Sequence, residues 1–483
     1  MVLKATARAA FGDFQTPCLL ADEACMRLRG LLDRPPRTIV EPSCGTGAFL
    51  VEAARRFPDA AALGFEINAT HAEAARVAAR AAGFAGRVHV RVADFFRTDW
   101  RAVFAGVEEP VLVVGNPPWV TNSDLGVLDA DNAPAKSNFK GLSGMDARTG
   151  KSNFDVSEWM LLAHLDALQG VSGTVAVLCK TSVARKIVEF AHRNALEFRR
   201  PAVFRINASR HFGAAVDACF FVFSTGGRGP DVEVPFFESL GAAAACARWA
   251  LREGRLVGDA VLYDRLRRSV EADVALEWRS GLKHDCAGVM ELHETESGLI
   301  NGLGERVDVE TEVLFPLVKA SELAGRSSEF GKTWAVVTQR KVGEDTSRLA
   351  RSAPRAWAYL REHATAFERR KSTVYREQPE FAMFGVGPYT FAPWKVAVSA
   401  LHADIRFRVI GPRRGKPTVL DDTCYFVACP DEGAALWLLA QLSRPDVAAF
   451  LHATATGRSK RVVTKDVLSL LSGAVEPQLP LFG

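Results

Sequence analysis

Thr38-Ile39-Val40-Glu41-Pro42-Ser43-Cys44-Gly45-Thr46-Gly47-Ala48-Phe49-Leu50 decides the fold class. The first three residues predict a short strand, and a helix is expected to begin near Ala48. Between them, Ser43, Cys44, Gly45 and Gly47 are small enough for backbone to approach a ligand closely, as in the βα turns of α/β proteins. A dinucleotide fingerprint would carry a third glycine where Leu50 stands. The acid, Glu41, precedes the glycines at the strand end. A carboxylate there repels a pyrophosphate and suits a zwitterionic or cationic ligand.

Working outward, Ala61 to Phe65 predicts the next strand, ended by Glu66-Ile67. That is about 20 residues past the glycine turn, where an acid takes ribose hydroxyls. A further strand, Arg87 to Val92, leads to Ala93-Asp94-Phe95-Phe96. Asp94 can accept from an adenine amine while Phe95 packs on the ring, although Phe95 reads equally well as core. S-adenosylmethionine (SAM), with its ammonium, sulfonium, ribose and adenine, suits this set. The apolar run Val111 to Gly115 then predicts a buried strand, and Asn116-Pro117-Pro118-Trp119 follows. The prolines fix φ and remove two backbone donors, so the strand tip is stiff and its carbonyls are free for a ligand. An Asn amide oxygen and a proline carbonyl together can accept from both N–H groups of an exocyclic amine, and an indole can stack on the base.

Taken in order, these motifs resemble the gamma class of amino-group DNA methyltransferases, the N6-adenine enzymes of restriction–modification systems. The order begins with Phe11-Gly12-Asp13-Phe14-Gln15-Thr16-Pro17, and the resemblance extends from residue 11 to about 225. It implies a Rossmann-like class I SAM-dependent methyltransferase domain with a mixed, mostly parallel seven-stranded sheet. By resemblance, Thr16 and Pro17 contact the methionine end of SAM and Glu41 takes its ammonium. Ser43, Gly45 and Gly47 form the cofactor turn, Glu66 with Ile67 takes the ribose, and Asp94 and Phe95 take the adenine. Asn116, Pro117, Pro118 and Trp119 are the catalytic loop.

The pattern continues downstream. Asp155 is a plausible N-cap of a helix, and Gly173 to Lys180 and Cys219 to Phe223 predict buried strands. Phe212, in a loop position before the last of these, corresponds to an aromatic residue that stacks on the extruded adenine in the family. Residues 121–152 form a long polar insertion, expected to be a functional lid.

Hydrophobic content of 48% and charged content of 24% suit a globular protein, and no stretch reaches the ~20 apolar residues of a membrane helix. Lys4 and Arg8 without an apolar core argue against a secretory signal. Nine scattered cysteines, with no Cys-x-x-Cys pair, fit a reduced cytoplasmic compartment and suggest no metal site. The Gly/Pro-rich stretch Ser224 to Pro230 predicts a boundary between a catalytic domain, 1–228, and an α+β target-recognition domain, 229–483. Residues 331–420 hold 17 Lys+Arg against 7 Asp+Glu, whereas the whole chain is only +4, and a local surplus of this kind is a footprint for phosphate. Candidate DNA contacts are Arg340 and Lys341, Arg369, Arg370 and Lys371, Arg413, Arg414 and Lys416, and Arg458 and Lys460. The segments Phe391 to Val398, Asp421 to Phe426 and the helix Gly433 to Leu442 also resemble recognition domains.

The implied partner is double-stranded DNA, with a cognate restriction endonuclease encoded nearby. The target base must be flipped out of the duplex to be reached. Three alternatives use similar parts. N4-cytosine enzymes usually carry Ser in place of Asn116. RNA-guanine or protein-glutamine methyltransferases share Asn-Pro-Pro-aromatic but do not need a large basic C-terminal domain. A DNA-binding defence component would methylate only secondarily.

Overall fold

The computed structural model describes residues 15–120, 155–231, 233–270, 276–325, 333–402, 404–455 and 463–471. Arg458, Lys460, residues 1–14 and the expected lid at 121–152 lie outside the described residues. The chain divides into two compact units, Met1–Ala260 and Val261–Gly483.

In the first unit, strands and helices alternate: α1 (Cys18–Arg29), β1 (Thr38–Glu41), α2 (Ala48–Arg56), β2 (Ala61–Glu66), α3 (Ala69–Ala81), β3 (Val88–Val92), α4 (Trp100–Ala105) and β4 (Val111–Gly115). After the undescribed insertion come α5 (Val156–Ala167), β5 (Gly173–Lys180), α6 (Thr181–Arg193), β6 (Arg199–Ile206), α7 (Ala208–Phe212) and β7 (Ala218–Ser224). The sheet order over these strands is 3-2-1-4-5-7-6. Neighbours from β3 to β5 are parallel, and β7 runs antiparallel to β5 and β6. This is the expected class I SAM-dependent methyltransferase arrangement.

β4 shows why the apolar strands read as continuous runs rather than alternating ones: helices cover both faces. Leu112 and Val114 join one core layer with Leu20 of α1 and Phe49 of α2. Val111 and Val113 join the other with Leu161 of α5 and Ile187 of α6. Chain order reverses between β1 and β4, so their carboxyl ends border the crevice where ligands bind in such sheets.

The sheet does not stop at the predicted boundary. β8 (Glu233–Phe237) pairs parallel with β6, and β9 (Ala247–Arg252) and β10 (Arg255–Val257) extend it to ten strands. The division of the chain therefore falls at Ala260/Val261, not 228/229. The Gly/Pro stretch is a pinned crossing rather than a linker. Thr225 Oγ1 donates to Val171 O at 2.8 Å, Gly226 N to Glu197 Oε2 at 2.9 Å, and Asp231 N to Phe198 O at 2.8 Å.

The second unit is α+β. One sheet runs β11 (Arg279–Ser280), β19 (Cys424–Cys429), β16 (Trp394–Ser399), β17 (Phe407–Ile410). The other runs β13 (Gly298–Asn301), β12 (Glu291–Thr295), β15 (Thr333–Val336), β14 (Leu314–Val318), β18 (Val419–Leu420). Strands begin inside two of the segments that resemble recognition domains. Pro393 lacks a ladder donor, so β16 opens at Trp394, and Asp421 folds a turn by accepting from Thr423 N at 3.2 Å before β19. The helix expected from Gly433 to Leu442 is present as α9 (Glu432–Leu442, after α8, Pro354–Glu362), with Asp431 capping Ala434 N at 2.8 Å.

Candidate active site

The turn after β1 is built on two left-handed glycines, Gly45 (φ 51°) and Gly47 (φ 88°). A Cβ on Gly47 would stand 3.0 Å from Ala75 Cβ, so helix α3 packs where only glycine fits. β2 holds the turn in place: Cys44 N donates to Phe65 O at 2.9 Å, and Gly45 N to Glu66 Oε2 at 2.8 Å. The other oxygen of Glu66 accepts from Asn68 N at 2.9 Å. Glu66 is thus a structural brace as well as an acceptor, and each oxygen keeps a second lone pair. Next to it Ile67 is 50% exposed, an apolar surface at the strand tip.

Glu41 is 3% exposed, and its Oε2 has no hydrogen-bond partner among the described residues. Burial pushes its carboxyl well above the usual carboxylate range, and the negative charge of Glu66 adds to that; the Leu50 backbone N–H pulls the other way. Gly115, the last residue of β4, lies against it: a Cβ there would stand 3.2 Å from Glu41 Cγ. A buried acid with an unused acceptor thus sits beside the residue that launches Asn116-Pro117-Pro118-Trp119. An orphan carboxylate oxygen of this kind fits a cation such as the SAM ammonium, because a positive partner removes the cost of keeping it ionised out of water.

The N-terminal motif reaches the same turn. Gln15 Oε1 accepts from Thr46 N at 3.1 Å and from Thr46 Oγ1 at 3.0 Å, while the Pro17 carbonyl starts α1. Thr16 is partly buried between them. Gln15 and Thr46 stand inside two of the motifs, yet nothing in the sequence marks them as site residues. They meet across 31 residues of chain, and such a contact has no local signature.

Asp94 caps the turn after β3, accepting from Phe96 N at 2.9 Å. Phe95 is 7% exposed and packs on Trp100 at 4.9 Å between centroids and on His164 at 5.1 Å. It lies in the aromatic core, the alternative that the sequence left open. Asn116 is partly buried and Pro117 buried. Trp119 donates its indole N–H to Leu178 O at 3.4 Å. Phe212 is not in a loop but ends α7, which Asn207 caps at Arg210 N and Gly213 (φ 66°) closes. Trp119 and Phe212 are brought together, but edge to face at 5.2 Å and 70°. A base stacked on both must part the two rings.

The basic candidates of the second unit separate into different kinds. Arg340, Lys341, Arg369, Lys371 and Arg414 are exposed. Arg340 lies over the Phe391 ring at 4.3 Å, and Arg414 pairs with Glu294 at 2.7 Å. Arg413 and Lys416 pair through backbone at 2.8 and 2.9 Å around Arg414 (φ 50°) and Gly415 (φ 74°), a tight turn. Two side chains have structural work instead. Arg370 donates to Ala382 O at 2.8 Å and stacks on Tyr375 at 3.7 Å, and Lys416 Nζ donates to Leu314 O at 2.9 Å. Gln339 is fully buried, its amide bonded to Glu344 O at 2.6 Å and Met383 N at 2.9 Å, so it cannot read a base edge. Among the described residues no group of His, Cys, Asp or Glu is placed to hold a metal ion, and no helix is long and apolar enough to cross a membrane.

Comparison with known proteins agrees with this geometry. Residues 27–124 match the UPF0020 family model (RMKL-like, methyltransferase domain). The Type II methyltransferase M.NspV of Nostoc sp. is 38% identical over 462 residues, covering 95% of this chain and 96% of that protein. The Type II methyltransferase M.XamI of Xanthomonas campestris pv. amaranthicola is 34% identical over 91 residues, 19% of this chain and 16% of its own length. The solved structure of the Type IIL restriction-modification enzyme MmeI in complex with DNA superposes with a TM-score of 0.54 at 14% identity, over 92% of this chain and 62% of that one, a likeness of fold. Kinship that runs end to end with M.NspV, on a class I sheet whose first crevice suits SAM, makes this chain a member of the Type II methyltransferases, SAM-dependent DNA-modifying enzymes of restriction–modification systems.

Proposed function

We propose that the chain methylates the N6 amine of adenine in double-stranded DNA at a specific sequence, with the first unit catalytic and the second reading the target. The observation that carries this reading is the adjacency of Glu41 and Gly115. It sets a cation-seeking buried carboxylate one residue from an amide-and-proline clamp.

Bound SAM supplies an electrophilic methyl group on a positively charged sulfur. Glu41 holds the ammonium end, with Thr16 and Pro17 beside it. Ser43, Gly45 and Gly47 let backbone lie against the ligand. Glu66 takes the ribose with its remaining lone pairs, Ile67 covers the sugar, and Asp94 takes the adenine, with Phe95 behind it in the core. The adenine N6 lone pair of the target base is delocalised into its ring, so the amine is a weak nucleophile. The Asn116 side-chain oxygen and the Pro117 carbonyl accept from its two N–H groups, which favours a pyramidal nitrogen with its lone pair directed at the methyl. Positioning and fixed dipoles supply most of the acceleration. Pro118 keeps the loop stiff, and Trp119 and Phe212 grip the flipped base. Asn rather than Ser at position 116 favours adenine over cytosine. The exposed Arg340, Lys341, Arg369, Lys371 and Arg414, with the Arg413 turn, supply DNA contacts in the second unit. A cognate restriction endonuclease encoded nearby and a cytoplasmic location complete the proposal.

The test is transfer of a labelled methyl from SAM to unmethylated genomic DNA, followed by nucleoside analysis. N6-methyladenine is the expected product, and Asn116→Ala should abolish it while SAM binding survives. N4-methylcytosine would overturn the base assignment, and turnover by Asn116→Ala would overturn the catalytic one.

A further inference from the structure

We infer that Lys180, paired with Asp155, is a positioning residue that sets the catalytic loop of the proposed methyl transfer. The inference rests on that reading of Asn116 to Trp119. Lys180 is the last residue of β5, the strand beside β4. Its Nζ donates to the Trp119 carbonyl at 2.9 Å and to Asp155 Oδ2 at 2.6 Å. Asp155 Oδ1 accepts from Ser157 N at 3.0 Å and so caps α5. Immediately beside this, Val156 N donates to Val120 O at 2.9 Å. One ammonium thus ties the end of the catalytic loop, the tip of β5 and the start of α5.

The loop needs such a tie because of its own sequence. Pro117 and Pro118 have no N–H, so two of its four residues cannot anchor through a backbone donor. What remains is acceptors, and a carbonyl facing an ammonium makes a strong, charge-assisted contact. The side chains are only 22% and 8% exposed, so water competes weakly. Trp119 follows the two prolines directly, so a shift of its backbone carries the indole with it and reaches the Pro117 carbonyl through Pro118 alone, whose φ is fixed. Misplacement of a reacting group by about 1 Å can cost about 100-fold in rate.

The test compares full-length wild type with Lys180→Met, Lys180→Arg and the double variant Lys180→Met/Asp155→Asn, using labelled SAM and unmethylated genomic DNA. The double variant leaves no unpaired charge, which keeps the test valid if Lys180→Met alone folds poorly. The expected result is a kcat lowered about 10- to 100-fold in Lys180→Met and in the double variant. KM for SAM should stay within about twofold, and Lys180→Arg should recover much of the rate. With kcat taken per active site, from the fraction of enzyme that binds SAM, a role in fold stability alone lowers that fraction and the melting temperature and leaves kcat unchanged. Unchanged kcat in the double variant, or a matching loss of SAM affinity, overturns the inference while the activity stands. A wild type that methylates no DNA overturns the underlying reading and the inference with it.

Discussion

Replacing Glu41 by Gln tests the proposed cofactor site through pH. Burial raises the folded pKa of Glu41 well above its ordinary value of 4.5. Between those two values the unfolded chain has released this proton and the folded chain has not, so the folded state loses stability as pH rises through the window. At full effect one proton is worth about 1.4 kcal/mol per pH unit, which for a unit of this size is about 3–6 °C of Tm per pH unit. His164 works the other way. It is buried among Phe95, Trp100 and Phe104, and burial lowers its pKa to about 3, so its contribution to stability grows from about pH 3 to 6.5. The difference between wild type and Glu41→Gln isolates the carboxylate. In thermal melts from pH 5 to 8 without cofactor, the wild type should lose Tm relative to the variant with rising pH, and saturating SAM should narrow the gap. Calorimetry should show proton release on SAM binding by wild type alone, because the ammonium lets Glu41 ionise. Loss of a hydrogen bond to a charged group costs about 1.5–3 kcal/mol, so SAM should bind the variant about 10- to 100-fold more weakly. Parallel pH profiles, or unchanged SAM affinity, would refute the assignment.

Glu66→Ala should weaken SAM binding by more than tenfold, since it removes both the ribose acceptor and the brace on Gly45; an unchanged titration removes Glu66 from the site. Neutralising Lys341, Arg369 and Lys371 together should flatten the dependence of log DNA affinity on log salt by roughly one for each phosphate that no longer meets a cation, and a constant slope puts the DNA elsewhere. Arg370→Gln, by contrast, should lower Tm, because it strips the bond to Ala382 O and the stack on Tyr375. His164→Leu should raise stability by about 1–3 kcal/mol, the cost of unpaired buried polar atoms, since neither ring nitrogen has a hydrogen-bond partner among the described residues; a lower Tm would show the ring is held by its aromatic neighbours.

Most of the first unit was legible because its signals are local. A glycine turn, an acid at a strand end, and prolines after an apolar run each constrain backbone within a few residues, and the strands β1 to β5 and β7 fall where expected, while β6 was not foreseen. The boundary near 228 misled because Gly and Pro mark a change of direction equally well in a linker and in a pinned crossing. Only the pairing of β8 with β6 distinguishes the two. Phe95 could not be assigned from sequence because a buried aromatic and a ligand-facing one carry the same local pattern.

The chain's own order of residues determined the α/β class, the glycine turn after β1, the stiff segment from Asn116 to Trp119 and the basic surplus of 331–420, since each depends on neighbours along the backbone or on composition. Tertiary structure alone decided that Glu41 meets Gly115, that Gln15 closes on Thr46, that Lys180 holds the Trp119 carbonyl, and that Arg370 and Lys416 spend their donors on their own fold. These contacts join segments up to about a hundred residues apart. Which partner a charged or polar group finds at such a distance is fixed by how the strands order in the sheet and by the need to satisfy groups withdrawn from water.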